Sequence, residues 1–168
     1  MRKTLKIAGT VQDSIVDGPG LRFVVFTQGC DRQCEGCHNP ATWNPAGGTD
    51  KPVEEIINTM LENPLTDGLT ISGGEPFLQA AECAALAKAA RQAKLNVWVY
   101  SGYTFEQLLL RIGNEPSVRE LLLHTDVLVD GAFDLSKRTL SLKWRGSLNQ
   151  RVLDVRKSLE LGMAVEIE

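Results

Sequence analysis

The sequence predicts an α/β fold in which parallel strands and helices form a partial, open TIM-like barrel of roughly four to six βα units. Short apolar runs alternate with helical patterns along most of the chain, which is typical of a parallel sheet covered by helices. The length of 168 residues falls short of the roughly 250 that a closed barrel of eight units needs. We therefore expect residues 1–168 to form a single domain whose barrel stays open.

The predicted strands are short runs rich in Phe, Val, Ile and Leu. The clearest covers residues 21–29 and leads directly into a cysteine. Similar runs occur at residues 68–74, 96–102 and 126–131, with further candidates at 5–11 and 163–167.

The helical patterns between these runs cover residues 52–61, 77–93, 104–112 and 149–161. Thr104 and Gln107 have the spacing of a capping box at the start of the third helix. Asn149 is a candidate N-cap for the last helix, and Gly162 would end it. The second pattern is rich in alanine, which has the highest helix propensity.

Polar and glycine-rich motifs follow several of the predicted strands. Cys30 comes after the first, the run Gly73-Gly74-Glu75-Pro76 after the second, and Ser101 and Asp130 end the next two. In parallel α/β folds the functional groups gather at the C-terminal ends of the strands. We therefore expect these motifs to share one site.

The composition is that of an ordinary globular protein, with 43% hydrophobic and 23% charged residues. A net charge of −3 argues against a nucleic-acid binder, which would usually be basic. No apolar run approaches the roughly 20 residues that span a bilayer, and the N-terminus lacks the apolar core of a signal peptide. We expect a cytoplasmic protein with no membrane partner. In that reducing compartment, four cysteines favour a metal or redox site over disulfides.

Cys30, Cys34 and Cys37 form a C-x3-C-x2-C motif whose three thiolates can converge on one inorganic centre. A structural zinc site and the four-iron cluster of an electron carrier both commonly take four protein ligands. Three cysteines would leave one iron of a cluster open to a substrate. A zinc-binding adaptor and a small iron–sulfur electron carrier remain open as alternatives. The zinc site needs a fourth ligand from His38, His124 or Cys83, and the electron carrier needs Cys83 as its fourth cysteine. The spacing of Cys83 indicates a small buried hydrophobe instead.

The cysteine motif and the run SGGEP at residues 72–76 together resemble the radical S-adenosylmethionine superfamily. The resemblance implies a [4Fe-4S] cluster held by Cys30, Cys34 and Cys37. It also implies S-adenosyl-L-methionine bound at the open iron through its amino and carboxylate groups. Gly74 would admit the methionine end of this cofactor. The backbone of Gly36, Cys37 and His38 would border it, although many members have an aromatic residue where this chain has Gly36.

Longer segments resemble the glycyl-radical-enzyme activases, beginning with the run DGPG and Arg22 shortly after it. Four later segments are similar to the activating proteins of anaerobic ribonucleoside-triphosphate reductase: CEGCHNPATW, VYSGYTFEQLL, DVLVDGAFD and WRGSLNQRV. This resemblance implies that the cofactor is cleaved to a 5′-deoxyadenosyl radical, which generates a glycyl radical on the reductase. It also implies a one-electron reductant such as flavodoxin. The activase of pyruvate formate-lyase, which shares DGPG and the cysteine spacing, is the nearest alternative.

Two further assignments stay open at this stage. Ser101 and Asp130 would contact the ribose or amino group of the cofactor, or would only cap helices. The segment 137–145, which carries Arg138, Lys143 and Trp144, would dock the reductase. The competing interpretation is a solvated basic loop with Trp144 packed into the core.

Overall fold

The computed structural model of the chain describes residues 3–31, 34–37 and 40–167. Its seven strands are β1 (Thr4–Ser14), β2 (Arg22–Thr27), β3 (Thr49–Pro52), β4 (Gly68–Gly73), β5 (Asn96–Tyr100), β6 (Val127–Asp130) and β7 (Arg151–Asp154). Its five α-helices are α1 (Val53–Met60), α2 (Ala80–Gln92), α3 (Phe105–Ile112), α4 (Pro116–Leu123) and α5 (Val155–Leu161). The strands form one sheet in the order β3-β1-β2-β4-β5-β6-β7.

The centre of the sheet is parallel and its two edges are antiparallel. Strands β2, β4, β5 and β6 pair in parallel, as predicted, and helices connect them. By contrast, β1 pairs antiparallel with both β2 and β3, and β7 pairs antiparallel with β6. The expectation of parallel strands is therefore wrong for the edges. The connections β1–β2 and β6–β7 contain no α-helix, whereas a parallel neighbour usually requires a helical crossover.

The pairing order is open, because β3 and β7 are its two ends. The structure thus confirms a mixed α/β fold with an open sheet and a parallel centre.

All five helices contribute to the main core, which lies on one face of the sheet. Alternate strand residues point into this core, among them Val25, Ile71, Val99 and Leu128. The segregation follows from the period of two along each strand, which places apolar side chains of neighbouring strands on a common face.

The opposite face of the sheet carries no α-helix of the described residues and has a second, smaller apolar cluster. Trp98, Val129 and Val152 are its buried members, and Trp144 packs against them. The rings of Trp98 and Trp144 meet edge to face, with centroids 5.6 Å apart. Loops rather than helices therefore cover this face.

Helix ends agree with the predicted caps in part. The capping box of Thr104 and Gln107 is present at the start of α3, and Gly162 ends α5 with φ +68°. The predicted N-cap Asn149 is wrong. Residues 151–154 pair with β6 as a strand, so α5 begins later and Asp154 caps it by accepting from the Lys157 N–H.

The C-terminal run 163–167 is not a strand of the sheet. It makes a single bridge, between Glu166 and Leu153. No helix among the described residues has the length and apolar character needed to cross a membrane.

Candidate metal centre

The three cysteines of the motif line one cavity of about 120 Å³ at the C-terminal ends of the parallel strands. Cys30 lies three residues beyond the end of β2, and Cys34 and Cys37 follow on the same loop. Their side chains are half-buried. Residues from the ends of β4, β5 and β6 complete the cavity wall, so the predicted gathering of motifs at strand ends is present.

Backbone hydrogen bonds hold the chain at Cys30 against the segment that follows the motif. The N–H of Gly29 donates to the carbonyl of Thr42 at 2.5 Å, and the N–H of Cys30 donates to the carbonyl of Trp43 at 3.1 Å. In addition, the Gln28 side-chain amide donates to the carbonyl of Ala41 at 2.9 Å and to that of Asn44 at 2.7 Å. The backbone that carries the Cys30 thiol is therefore held in place by the segment 41–44.

The glycine-rich strand end packs directly against the start of the cysteine loop. The N–H of Gly74 donates to Thr27 O and that of Glu75 to Gly29 O, both at 2.8 Å. A Cβ atom at Gly74 would collide with the carbonyl oxygen of Gly29. Gly74 lines the cavity, but the space beside its Cα is taken by the chain itself. A glycine is needed here for this close approach.

Glu75 is a buried carboxylate in the cavity wall that the sequence interpretation missed as a site residue. Its Oε1 accepts from the Gly102 N–H at 2.7 Å, and its Oε2 accepts from the Ser101 hydroxyl at 2.9 Å and the Phe77 N–H at 3.0 Å. Burial raises the pKa of Glu75 to about 7. The sequence signal for Glu75 is its place in the run Gly73-Gly74-Glu75-Pro76, in which the sequence interpretation assigns a site role to Gly74 alone.

Of the other predicted residues, Ser101 lines the cavity and Asp130 does not. The buried carboxylate of Asp130 accepts from the Phe105 N–H at 2.8 Å and from the Arg151 guanidinium at 2.6 Å. Asp130 therefore accepts a hydrogen bond at the start of α3 and forms an ion pair with Arg151. Arg151 also binds Glu106 at 2.6 Å, so the three side chains join β6, β7 and α3.

The sequence also predicts that Gly36 and His38 border the cofactor. Gly36 is exposed beside Phe133 and Leu135, outside the residues that line the cavity. His38 lies outside the described residues.

Two of the alternative fourth ligands, Cys83 and His124, lie in other parts of the fold. Cys83 is fully buried within α2 in the main core, and burial raises the pKa of its thiol. The predicted small buried hydrophobe is confirmed. His124 ends α4 and faces Glu120 at 3.6 Å.

The donor set at the cavity fits an iron–sulfur cluster, for which cysteine thiolates are the usual ligands. Three thiols share the cavity, and Trp43 beside them has a buried Nε1 with no hydrogen-bond partner. In the described part of the chain, no group of three or more His, Cys, Asp or Glu encloses a single-ion position.

A second cavity of about 460 Å³ adjoins the first on the helix-free face of the sheet. The two cavities share Cys37, Ser72 and Tyr100 in their walls. Arg138 and Trp144, from the segment after β6, also line the larger one. The cysteine cavity therefore continues into a wider space bounded by loops.

Comparison with known proteins agrees with this site. A family profile described as "4Fe-4S single cluster domain" matches residues 16–153. The anaerobic ribonucleoside-triphosphate reductase-activating protein of Vibrio cholerae is 34% identical over 148 residues, covering 81% of this chain and 89% of the relative. The protein of that name from Enterobacteria phage T4 is 35% identical over 145 residues, covering 82% and 86%. The pyruvate formate-lyase-activating enzyme of Clostridium pasteurianum is 38% identical over 121 residues, covering 68% of this chain and 47% of that enzyme.

An open α/β sheet with this cysteine loop, matched over most of its length by activating enzymes, defines an iron–sulfur activating enzyme of the glycyl-radical-enzyme activase class. The chain belongs to the family of the anaerobic ribonucleoside-triphosphate reductase-activating proteins.

Proposed function

We propose that this chain is a radical S-adenosylmethionine activase that generates a glycyl radical on an anaerobic ribonucleoside-triphosphate reductase. A reduced [4Fe-4S] cluster would supply one electron to split S-adenosyl-L-methionine into methionine and a 5′-deoxyadenosyl radical, which takes a hydrogen atom from a glycine of the reductase. Cys30, Cys34 and Cys37 would ligate the cluster, and a one-electron reductant such as flavodoxin would deliver the electron.

One observation carries this proposal: the three thiols and the glycine-rich strand end border the same cavity. Both motifs were identified separately in the sequence, and two backbone hydrogen bonds tie them together. A purely structural metal site would not require the second motif at its wall.

The residues of the chain would position the cofactor rather than transfer protons. The backbone at Gly73 and Gly74, with Ser101 beside it, would border the cofactor's methionine end. Gly36, Cys37 and His38 would border it through backbone contacts near the cluster. The second cavity would then receive the glycine-bearing segment of the reductase, because it opens from the cysteine cavity toward solvent.

We further propose that the helix-free face is the concave inside of a partial barrel, and that residues 1–168 form one domain. One core cluster includes residues from Leu5 to Val155, which supports the proposal of a single domain.

The reductase is favoured over pyruvate formate-lyase as the partner. The Vibrio cholerae relative is matched over 89% of its own length, whereas the Clostridium pasteurianum enzyme is matched over 47%.

Anaerobic reconstitution tests the proposal directly. The reconstituted protein, incubated with S-adenosyl-L-methionine, dithionite and the reductase, should give the electron paramagnetic resonance (EPR) signal of a glycyl radical. Alanine at Cys30, Cys34 or Cys37 should abolish cofactor cleavage. Cys83→Ala is the matched control and should keep the iron content and cleavage, because Cys83 lies in the main core. A Cys83 variant that loses its cluster, or a wild-type protein without cleavage, would contradict the proposal.

A further inference from the structure

The indole N–H of Trp43 is a buried hydrogen-bond donor that the described protein atoms do not satisfy. Its Nε1 is shielded from solvent and has no partner. A buried donor without a partner destabilises a protein, and most such groups in native proteins have a partner. The position of Trp43 therefore requires an acceptor that the described residues do not supply.

The backbone places Trp43 beside the first cysteine. The Cys30 N–H donates to the carbonyl of Trp43, and the preceding Gly29 N–H donates to that of Thr42. These two bonds pair residues 29–30 with residues 42–43, and the Gln28 side chain clamps the same turn. Trp43 is thus held next to the cysteine loop by its main chain, independently of what its side chain contacts.

Trp43 is among the residues that line the cavity shared by Cys30, Cys34 and Cys37. The other two tryptophans are elsewhere. Trp98 is buried in the small cluster on the helix-free face, and Trp144 packs against it. Of the three indole groups, Trp43 alone combines a place in the cysteine cavity with a buried, unsatisfied N–H among the described residues.

We infer that the indole N–H of Trp43 donates a hydrogen bond to a sulfur of the cluster and thereby raises its reduction potential. The inference rests on the proposed function, since it requires the cluster in this cavity. Hydrogen bonds to the sulfurs are among the factors that set the potential of iron–sulfur clusters. Reduction adds a negative charge to the cluster, and an N–H donor stabilises the more negative state. Trp43 therefore makes the cluster easier to reduce.

The test is the reduction potential of the reconstituted cluster, measured by an EPR-monitored redox titration without S-adenosyl-L-methionine. Trp43→Phe keeps an aromatic ring and removes the N–H. It should retain the iron and sulfide content of the wild-type protein and shift the potential to more negative values. Trp98→Phe is the matched control, with the same chemical change outside the cysteine cavity, and should leave the potential unchanged.

A second measurement does not depend on whether Trp43→Phe assembles a cluster. Wild-type protein labelled with ¹⁵N in its indole groups should show a ¹⁵N coupling to the reduced cluster by pulsed EPR. The coupling should persist in Trp98→Phe and in Trp144→Phe, which assigns it to Trp43. An unchanged potential in Trp43→Phe, or no ¹⁵N coupling in the wild type, would mean that water satisfies the N–H and would overturn the inference. A wild-type protein that assembles no cluster would instead overturn the proposed function, and this inference with it.

Discussion

Among the single residues of the site, Glu75 has a structural role and also a pKa near neutral pH. Three hydrogen bonds hold its carboxylate in the wall of the cysteine cavity, and burial raises its pKa from 4.5 to about 7. A folded-state pKa above the unfolded value contributes stability at low pH. This contribution is lost as the pH rises through the folded-state pKa.

The stability of the apo-protein should therefore depend on pH through Glu75. The free energy of unfolding of the wild-type protein, relative to Glu75→Gln, should fall by about 2–3 kcal/mol between pH 5 and pH 8. The amide of the variant cannot ionise, so the wild-type protein alone carries this dependence. Urea denaturation at the two pH values measures it. Glu55→Gln, at an exposed position of α1, is the control for the effect of the Glu-to-Gln change itself. A pH-independent difference for Glu75→Gln would contradict the prediction.

Gly74 illustrates how the structure changes the expected effect of a substitution. In the sequence interpretation Gly74 admits the methionine end of the cofactor, so a side chain here would intrude on the cofactor. The structure places the backbone of Gly29, next to Cys30, in that position. A side chain at Gly74 would consequently push on the cysteine loop first.

Gly74→Ala should lower the stability of the apo-protein by about 1–3 kcal/mol, because the added methyl group overpacks a contact between two backbones. It should also reduce the amount of iron bound on reconstitution. Gly113→Ala is a matched control, since a Cβ at Gly113 would meet no atom within 4 Å. Urea denaturation and iron analysis of both variants give the comparison. Equal behaviour of the two variants would show that Gly74 is not constrained by the loop.

Among the interactions between elements, the buried Arg22 joins three strands of the parallel sheet. No carboxylate of the described residues forms a salt bridge with it. Its buried guanidinium donates to Thr70 Oγ1 at 2.7 Å, to Pro19 O at 2.8 Å and to Leu69 O at 2.9 Å. It also lies over the ring of Trp98, 5.7 Å from the centroid. Burial lowers the pKa of Arg22 to about 10, so it stays charged at neutral pH.

Arg22→Lys should destabilise the protein by about 2–4 kcal/mol, because one ammonium group cannot replace the forked set of donors. The loss should be nearly independent of salt, since the acceptors are carbonyls and a hydroxyl. Urea denaturation at low and high salt measures both quantities. Arg156→Lys on α5, where the arginine side chain is 88% exposed, provides the control and should change stability little. A loss under 0.5 kcal/mol, or a strongly salt-dependent one, would contradict this role for Arg22.

The elements also show why some parts of the fold could be predicted from sequence and others could not. The central strands are continuous apolar runs, and the capping box at Thr104 is a local signal; both were predicted correctly. Strand β3 (Thr49–Pro52) was missed because its residues are polar and mostly exposed at a sheet edge. Strand β7 adjoins α5 without a break, so its residues were assigned to the helix. Its pairing with β6 is a tertiary contact.

The same distinction applies to the candidate site. That the three cysteines share one cavity could be predicted, because their spacing is local. Glu75 was missed because its burial and its bonds to Ser101 and Gly102 arise only when β4 and β5 come together. The ion pair of Asp130 with Arg151 likewise depends on the antiparallel pairing of β6 and β7.

For the molecule as a whole, the segment 137–145 is the candidate docking surface, and several of its residues line the second cavity. Arg138 and Lys143 are exposed, whereas Trp144 is half-buried against Trp98. The structure thus favours packing as the role of Trp144. The basic side chains remain available to a partner with acidic groups near its target glycine.

We expect Arg138→Glu combined with Lys143→Glu to weaken binding to the reductase several-fold, and more strongly at low salt. Cofactor cleavage with dithionite alone should persist. Lys88→Glu combined with Lys157→Glu changes the charge equally on α2 and α5, which pack on the opposite face of the sheet. A binding assay and the glycyl radical yield measure the effect. Equal weakening by both pairs would mean that net charge, rather than this loop, controls docking.

Because helices cover only one face of the sheet, neighbouring positions along a strand are under different selective demands. Ile71 and Val99 fill the main core, while the next residues, Ser72 and Tyr100, line the cavities. Cellular abundance of a library of single substitutions should depend on the first pair, and radical-generating activity on the second. In the abundance measurement, tolerance to substitution should therefore be low at core positions and high at cavity positions, alternating with a period of two along β4 and β5. Substrate preference in this family could then diverge by changes at cavity positions that leave the stability of the scaffold unchanged.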